Sequence, residues 1–476
     1  MPVDAEADSR GAPVRSLTLE DALRIGRSKN VGLRAAELLP EQARLDLMYA
    51  EAGFEPELYG STTYGESEAP NRSDFQPSIK QTSIEGALGW RQRVATGGLF
   101  DLAFRPGRYE TSGSSAFPDK QFTAAWSASY RQPLLRGAWF DYNLAPIDDA
   151  RLGLHQARSE YDGVVQETLL QIVVAYWELV FARENWRVGW SALAVAREQL
   201  RITEEYIRVK RLAPRDRVAD EAEVARRQEE LIGAENLIRN REDDLRRLLF
   251  DATDPTLWQF NLRPISPIPV APDDRERPFE PLVDVAIRSR PDLRSQTNAV
   301  ARAELAAMAA DRDSLPDLNL IGSWSSDGAR DQFRPAWNDA LEQEYPDWSV
   351  GLEFSLPIGN HAAKARRERA MLEVERQRRL KHALVLDVTR QVREAVRNLR
   401  SLAQSVLASA ESVRLATTNL ETEQVKLRVG SSTAFEVQRR NQELSEARSR
   451  HLRNQLDYRV AESRLLHVQG ILEVPR

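Results

Sequence analysis

Few residues of this sequence have the types and spacing that covalent or metal chemistry requires. The five histidines are scattered, with no HExxH motif among them, so they predict no metal site: His155, His361, His382, His451 and His467. The chain contains no cysteine, which excludes disulfides, thiolate zinc sites and cysteine nucleophiles. It has no P-loop and no nucleophile elbow. We therefore predict that the protein is not an enzyme and binds no cofactor or metal.

The charge balance and the hydropathy pattern exclude further classes of protein. The 66 Lys and Arg residues against 72 Asp and Glu residues give a net charge of −6, so nucleic-acid binding is not expected. No apolar run approaches the roughly 18–20 residues of a membrane-spanning helix, which argues against a helical membrane protein. The N-terminus lacks a basic region and an apolar region, so no secretory signal is visible.

The elements that would carry any function are duplicated along the chain. Met48 aligns with Met308 and Pro56 with Pro316 at an offset of 260 residues (308 − 48). Ala150 aligns with Ala370 at an offset of 220 residues (370 − 150), so the first copy holds extra residues before Ala150. The pattern predicts a flexible N-terminus at 1–16, a first repeat at 17–250, a proline-rich linker at 251–281, a second repeat at 282–472 and a tail at 473–476.

Short strands are predicted in both repeats, at about 57–135 and about 317–357. Residues 348–356 alternate strictly between apolar and polar. In residues 122–131 the apolar residues at 122, 124, 126, 128 and 130 face one way, and the polar residues at 123, 127, 129 and 131 face the other. Segments of about ten residues with one apolar face and aromatic ends are typical of transmembrane β-strands. A half-buried strand of a soluble sheet gives the same alternation. Each repeat offers two clear strands, and the strand-like residues 82–105 are a possible extra hairpin that the sequence does not place.

A long helical hairpin follows the strands in each repeat, at 142–250 and 361–470. A helix over residues 147–211 would be about 100 Å long. Apolar residues recur at every seventh position and predict a left-handed coiled-coil seam: Val392, Leu399, Val406, Val413, Leu420 and Leu427. Four strands cannot close a barrel alone, and open strand edges cannot face lipid, so several chains must share one barrel.

This arrangement resembles the TolC-like outer-membrane efflux proteins, or outer membrane factors. The likeness rests on short motifs in a fixed order: residues 17–23, Asn30 with Leu33, residues 132–137, residues 175–177, residues 290–293, and Val429-Gly430 six residues before Glu436. The resemblance implies a mainly α fold with β: a trimer of two structural repeats, a shared transmembrane β-barrel of 12 strands, a long α-helical coiled-coil periplasmic tunnel and an equatorial domain.

The resemblance also implies a function and partners. The expected function is the exit duct of a tripartite efflux or type I secretion system, with passive passage of small molecules or polypeptides. The expected location is the outer membrane of a Gram-negative-type cell, with the tunnel in the periplasm. The expected partners are two further copies of the chain, a periplasmic adaptor protein, an inner-membrane pump and outer-membrane lipid. The alternative is a non-membrane coiled-coil scaffold, which the missing signal favours.

The resemblance assigns roles to residues at the hairpin ends. Asp216, Glu436 and Arg439 are expected at the periplasmic entrance; as helix N-terminal residues, the two carboxylates could instead only offset the helix dipole. The family's tip Tyr and Arg positions are Leu427 and Ser432 here, so that contact is not reproduced. The two turns are expected to dock the adaptor, although they could be plain exposed turns: Lys210, Arg211, Leu212 and Ala213, and Gly430, Ser431, Ser432 and Thr433.

Four aromatic residues on the predicted strands are candidates for membrane-interface girdles: Trp126, Tyr130, Trp348 and Phe354. Aromatic rings are enriched at the two interfaces of a bilayer. The alternative is that these rings form the core of a soluble sheet.

Overall fold

The structure is a computed structural model that describes residues 13–69, 79–112, 119–210, 213–251, 258–268, 278–429 and 431–473. Its elements in chain order are β1 (Val14–Leu17), α1 (Leu19–Lys29), α2 (Val31–Ala52), β2 (Glu57–Ala69), β3 (Ile79–Arg93), β4 (Leu99–Ser112), β5 (Lys120–Pro133), α3 (Phe140–Arg208), α4 (Asp216–Leu249), β6 (Asn261–Pro264), α5 (Glu280–Ser289), α6 (Pro291–Asp313), β7 (Asp317–Arg330), α7 (Phe333–Leu341), β8 (Pro346–Ser355), α8 (His361–Arg428) and α9 (Ala434–Val468).

The chain forms two compact units, and each takes segments from both repeats. The first unit, called the helical unit here, comprises Met1–Pro40, Ala157–Ser295 and Lys381–Arg476. The second, called the sheet unit, comprises Glu41–Gln156 and Gln296–Leu380.

Within the described residues, the sheet unit contains six antiparallel strands in the order β2-β3-β4-β5-β7-β8. The sequence predicts four clear strands, and residues 82–105, the possible extra hairpin that it did not place, lie in β3 and β4. Glycines at 86 and 89 and a proline at 106 weaken the alternation of these two strands. Gly97 in the connecting turn has φ 85°, and a Cβ there would lie 2.1 Å from the carbonyl oxygen of Gly137. Only glycine fits this turn.

The core of the helical unit is built around α3. Tyr176 is fully buried, and its hydroxyl donates to the carbonyl oxygen of Leu17 over 3.0 Å and lies 2.8 Å from Oγ of Ser266. It therefore ties the end of β1 to the segment that follows β6, and these two strands pair in parallel. Burial raises the pKa of Tyr176, which keeps the hydroxyl protonated. Part of the proline-rich linker, Asn261–Pro264, thus forms an edge strand.

One expectation about hydropathy is also wrong. Among the described residues, α3 contains an 18-residue window with mean hydropathy 1.4, so this helix is long and apolar enough to cross a membrane by length and composition. The sequence prediction overlooked it because two glutamates interrupt the apolar run. Within the helical unit this stretch supplies core residues, including Ile172, Val173 and Leu179.

The seven-residue seam is buried over part of its length. Val392, Leu399 and Val406 are at most 4 % exposed, whereas residues 413, 420 and 427 are only half-buried. In the first repeat, Ile172 and Leu179 are fully buried, and residues 200 and 207 are half-buried. In both hairpins the seam therefore becomes more exposed towards the connecting turn.

Candidate functional site: the two-faced sheet and the hairpin ends

The strand register divides the sheet into an apolar face and a polar face. One row of directly paired residues crosses all six strands and is apolar throughout: Leu58, Trp90, Leu102, Ala128, Trp324 and Trp348. The adjacent row points the other way and is polar throughout: Glu57, Arg91, Asp101, Ser129, Ser323 and Ser349. Paired residues share a face, so these rows define the two sides of the sheet.

The apolar face is largely uncovered within one chain. On β8, Trp348, Val350, Leu352 and Phe354 are between 62 and 73 % exposed, and Leu58 on β2 is 75 % exposed. Contiguous exposed apolar surface of this kind marks contact with a membrane or another protein. On β5 and the residue that follows it, this face carries apolar residues at 122, 124, 126, 128, 130 and 134, with Gln132 between the last two. The span from 122 to 134 is about 30 Å in height at a strand tilt of 35–45°. That height matches the hydrocarbon core of a bilayer.

Charged residues on this face are confined to one end of the strands. Glu66 pairs with Lys80, and Arg108 pairs with Glu110 near the β4–β5 connection. The far end of β7 carries Arg330, which pairs with Asp339 of α7. A charged rim beyond an apolar band is the pattern of a strand that leaves a membrane.

The polar face carries charges along its whole length. Arg131 and Glu353 form an ion pair of 2.8 Å between neighbouring parts of the sheet, and Arg91 lies 3.3 Å from Asp101. A cavity of about 500 Å³ lies against the sheet and is lined by Glu85, Arg105, Tyr109, Thr123 and Asp327, among others. This face is therefore suited to contact with water.

The four predicted interface aromatics all lie on the apolar face, in two different settings. Trp348 and Phe354 are exposed, and the Tyr130 hydroxyl lies 2.5 Å from Oε1 of Gln132. The ring of Trp126 instead packs 5.0 Å from Phe104 and 5.8 Å from Trp337, measured between ring centroids. Its indole nitrogen is buried and has no hydrogen-bond partner within the described ranges.

Helix α7 covers Trp126, and the sequence analysis did not find this helix. Trp337 also packs edge-on against Phe104, with ring centroids 4.6 Å apart. Ala336 and Ala340 are buried against the sheet. The signal was the apolar spacing of residues 333, 336, 337, 340 and 341, which suits one face of a helix.

The first hairpin end lies between α3 and α4. Lys210 has φ 58°, a left-handed conformation that glycine usually supplies after a helix, and its amide donates to the carbonyl oxygen of Ile207 over 3.0 Å. Ala213 precedes α4, which begins at Asp216. Arg211, Leu212 and the Asp216 side chain lie outside the described residues.

The second hairpin end lies between α8 and α9 and is held by a polar network. The amide of Ser431 donates to the carbonyl oxygen of Lys426 over 2.9 Å, and the hydroxyl of Ser432 donates to the carboxylate of Glu423. Hydrogen bonds from Ser432 and then Lys426 lower the pKa of Glu423, which keeps it ionised. The sequence analysis missed this carboxylate, which lies nine residues before its partner. Gly430 lies outside the described residues.

The structure brings two of the predicted entrance residues together on the first turns of α9. The carboxylate of Glu436 lies 3.8 Å from the guanidinium of Arg439, which also lies 3.4 Å from Glu443. The amide of Glu436 donates to Oγ1 of Thr433, the N-cap, over 3.4 Å. Glu436 is therefore a helix N-terminal carboxylate, as the second interpretation expects, and its place at the entrance stays a prediction.

The hairpins meet beside these residues within the helical unit. A cavity of about 30 Å³ is lined by residues of three helices, with Val195 from α3, Asp220 and Glu223 from α4, and Val437 and Gln438 from α9. Burial raises the pKa of Glu223, but hydrogen bonds from Arg226 and Arg227 outweigh it and lower the pKa overall. Residues 220 and 223 were missed, although they follow Asp216 at spacings of four and three, which places all three on one helix face.

Known proteins resemble this chain in sequence over its second repeat and in fold over nearly its whole length. Residues 282–470 match the family model of the outer membrane efflux protein. Three similar solved structures are the CmeC outer membrane channel of Campylobacter jejuni (14 % identity, TM-score 0.70, covering 95 % of this chain and 86 % of that chain), the outer membrane protein VceC of Vibrio cholerae (14 %, 0.69, 96 % and 97 %) and the MtrE outer membrane channel of Neisseria gonorrhoeae (17 %, 0.65, 96 % and 89 %). No curated protein sequence matches the chain. The resemblance stated from the sequence is confirmed, and so is the prediction of a mainly α fold with β of the TolC-like kind.

Proposed function

We propose that this chain, which shares the fold of the TolC-like outer-membrane efflux proteins and matches their family over its second repeat, forms an outer-membrane channel for export. The observation that carries the proposal is the two-faced sheet, whose exposed apolar face fits lipid and whose charged face fits a water-filled lumen. Small molecules or polypeptides would pass through this lumen without chemical change.

The channel is proposed to be a homotrimer. Strands β2 and β8 are the two open edges of the sheet, and open edges cannot face lipid. The half-buried seam residues near the hairpin ends, such as 420 and 427, require helices from other copies to cover them. The number of three follows from the resemblance.

The proposed partners are a periplasmic adaptor and an inner-membrane pump, in a tripartite efflux or type I secretion system. The docking sites would be the two hairpin ends, at 210–213 and 430–433. The helical units of the three copies would extend into the periplasm and carry Asp216, Glu436 and Arg439 at the entrance. A non-membrane coiled-coil scaffold would leave the apolar face of the sheet without a partner, so the observations favour the channel.

Purification and planar-bilayer recording test this function. We expect the protein to require detergent, to have the mass of three copies and to conduct ions across a bilayer. A monomer that stays soluble in water without detergent would contradict the proposal.

The entrance assignment makes a separate prediction for Glu436→Gln. The substitution removes one negative charge per copy and leaves Arg439 with one of its two carboxylate partners, Glu443, so cation selectivity should fall. At about 7 Å in water a unit charge contributes about 0.6 kcal/mol, which corresponds to a change of twofold to threefold in the permeability ratio. Reversal potentials in a salt gradient measure that ratio.

Glu446→Gln is the matched control, because Glu446 lies ten residues further along α9 and pairs with Arg450 in the same way. Its reversal potential should change less. Equal reversal potentials in the Glu436→Gln variant and the unchanged protein would contradict the placement of Glu436 at the entrance.

A further inference from the structure

The β3–β4 hairpin changes the number of strands that one chain supplies. It inserts between β2 and β5, so the described part of each chain presents six paired strands instead of the four that the family resemblance implies. Two inserted strands preserve the alternation of strand direction. The sheet is therefore continuous from the β2 edge to the β8 edge.

The two edges are suited to pair with each other in neighbouring copies. Strands β2 and β8 run in opposite directions, because an even number of antiparallel strands separates one edge from the other. All ten residues of β8 are exposed in one chain. An exposed, apolar edge strand of this length is a template for pairing with another chain. The strand that fits this edge, in its direction and in its alternation of apolar and polar residues, is β2 of a second copy.

The strand ends give the tilt that such a closed sheet would have. The polar row that starts at Glu57, the first residue of β2, reaches β8 at Ser349, six residues before Ser355 at its end. The ends of the intervening strands step in the same direction: Arg93 lies two residues beyond the row, Pro133 four and Asp317 six. The stagger therefore grows by about one residue per strand.

That stagger matches a closed barrel. We call the shift the number of residues by which the paired rows move along the strands across the six strands of one copy. A shift of six residues gives a strand tilt of about 35°, with a rise of about 3.3 Å per residue and about 4.8 Å between strands. A shift of eight gives about 43° and a shift of four about 25°, whereas barrel strands tilt by about 35–45°. Odd shifts are excluded because they would place polar residues on the apolar face.

We propose that β8 of each copy pairs antiparallel with β2 of the next copy, and that three copies close a barrel of 18 strands. The proposal rests on the proposed trimeric channel and departs from the 12-strand barrel that the resemblance implies. Barrel diameter grows about linearly with strand number, so the barrel would be about 1.5 times as wide as with 12 strands. The shift of six places Ser349 opposite Thr63, and the shift of eight places Glu353 opposite Ser61.

Cysteine cross-linking tests the pairing directly, because the chain has no cysteine of its own. The first double variant is Thr63→Cys with Ser349→Cys, and the second is Ser61→Cys with Glu353→Cys. Within one copy these positions lie on opposite edges of a six-stranded sheet, so a disulfide between them must join two copies. The control is Thr62→Cys with Ser349→Cys, which places the two thiols on opposite faces.

We expect oxidation of the full chain in detergent to convert most of the protein into covalent dimers and trimers in one of the two registers, and the control to stay uncross-linked. The mass of the assembly is measured on the same samples. A conducting trimer that cross-links in neither register would overturn the strand pairing and leave the channel function standing. A cross-linking assembly with the mass of only two copies would give 12 strands and overturn the count of 18, and a soluble monomer would overturn the channel function as well.

Discussion

Replacing Leu352 with arginine is expected to prevent most of the protein from inserting into lipid vesicles. Leu352 is 68 % exposed, lies on the apolar face and pairs with Leu320 within the apolar band. An arginine on the lipid face costs about 2–4 kcal/mol at the middle of the bilayer. Three copies per assembly would add this cost three times. Folding into vesicles is measured by protection from protease and by the fraction that stays folded in SDS without heating.

Ser349→Arg is the matched control for this prediction. Ser349 lies three residues away on the same strand, but it belongs to the polar face, where it pairs with Ser323. An arginine there would point into the proposed lumen, and insertion should be close to that of the unchanged protein. Equal insertion of both variants would mean that the apolar face does not meet lipid, and the proposed function would then lose its main support.

The strands and long helices with regular spacing could be predicted because their patterns are local. The alternation at residues 348–356 and the seven-residue spacing of Val392, Leu399 and Val406 are properties of single segments. The β3–β4 hairpin could be predicted only as a possible extra hairpin without a place in the sheet, because its glycines and Pro106 interrupt the alternation. The register of its neighbours, which is a tertiary property, fixes its place in the sheet.

The same distinction between local and tertiary contacts applies to the candidate site. Glu436 and Arg439 are three residues apart on one helix, so their contact follows from helical spacing. The contact between Glu423 and Ser432 crosses a turn, and the turn geometry cannot be derived from residue types alone. The placement of Asp220 beside Val437 depends on how two hairpins pack within the helical unit. The roles of Asp216, Glu436 and Arg439 at the entrance stay predictions.

The close approach of α7 to the sheet depends on one glycine of β7. A Cβ at Gly328 would lie 1.9 Å from the carbonyl oxygen of Ala336 and 3.0 Å from the amide nitrogen of Ala340. Both atoms belong to the backbone of α7, so no rotation of a side chain can relieve the overlap. Glycine is therefore required at position 328 for steric reasons, because an added methyl group would have to displace the backbone of α7.

Gly328→Ala is accordingly expected to lift α7 from the apolar face and to expose the ring of Trp126. Overpacking of a fitted contact costs about 1–3 kcal/mol, and the loss here should fall on the contact between α7 and the sheet. Gly322→Ala is the control, since Gly322 lies on the same strand and face, and a Cβ there would meet no atom within 4 Å. The readout is hydrogen exchange of the α7 amides, which should become faster in Gly328→Ala alone. If both variants exchanged at the rate of the unchanged protein, the fit of α7 against Gly328 would be refuted.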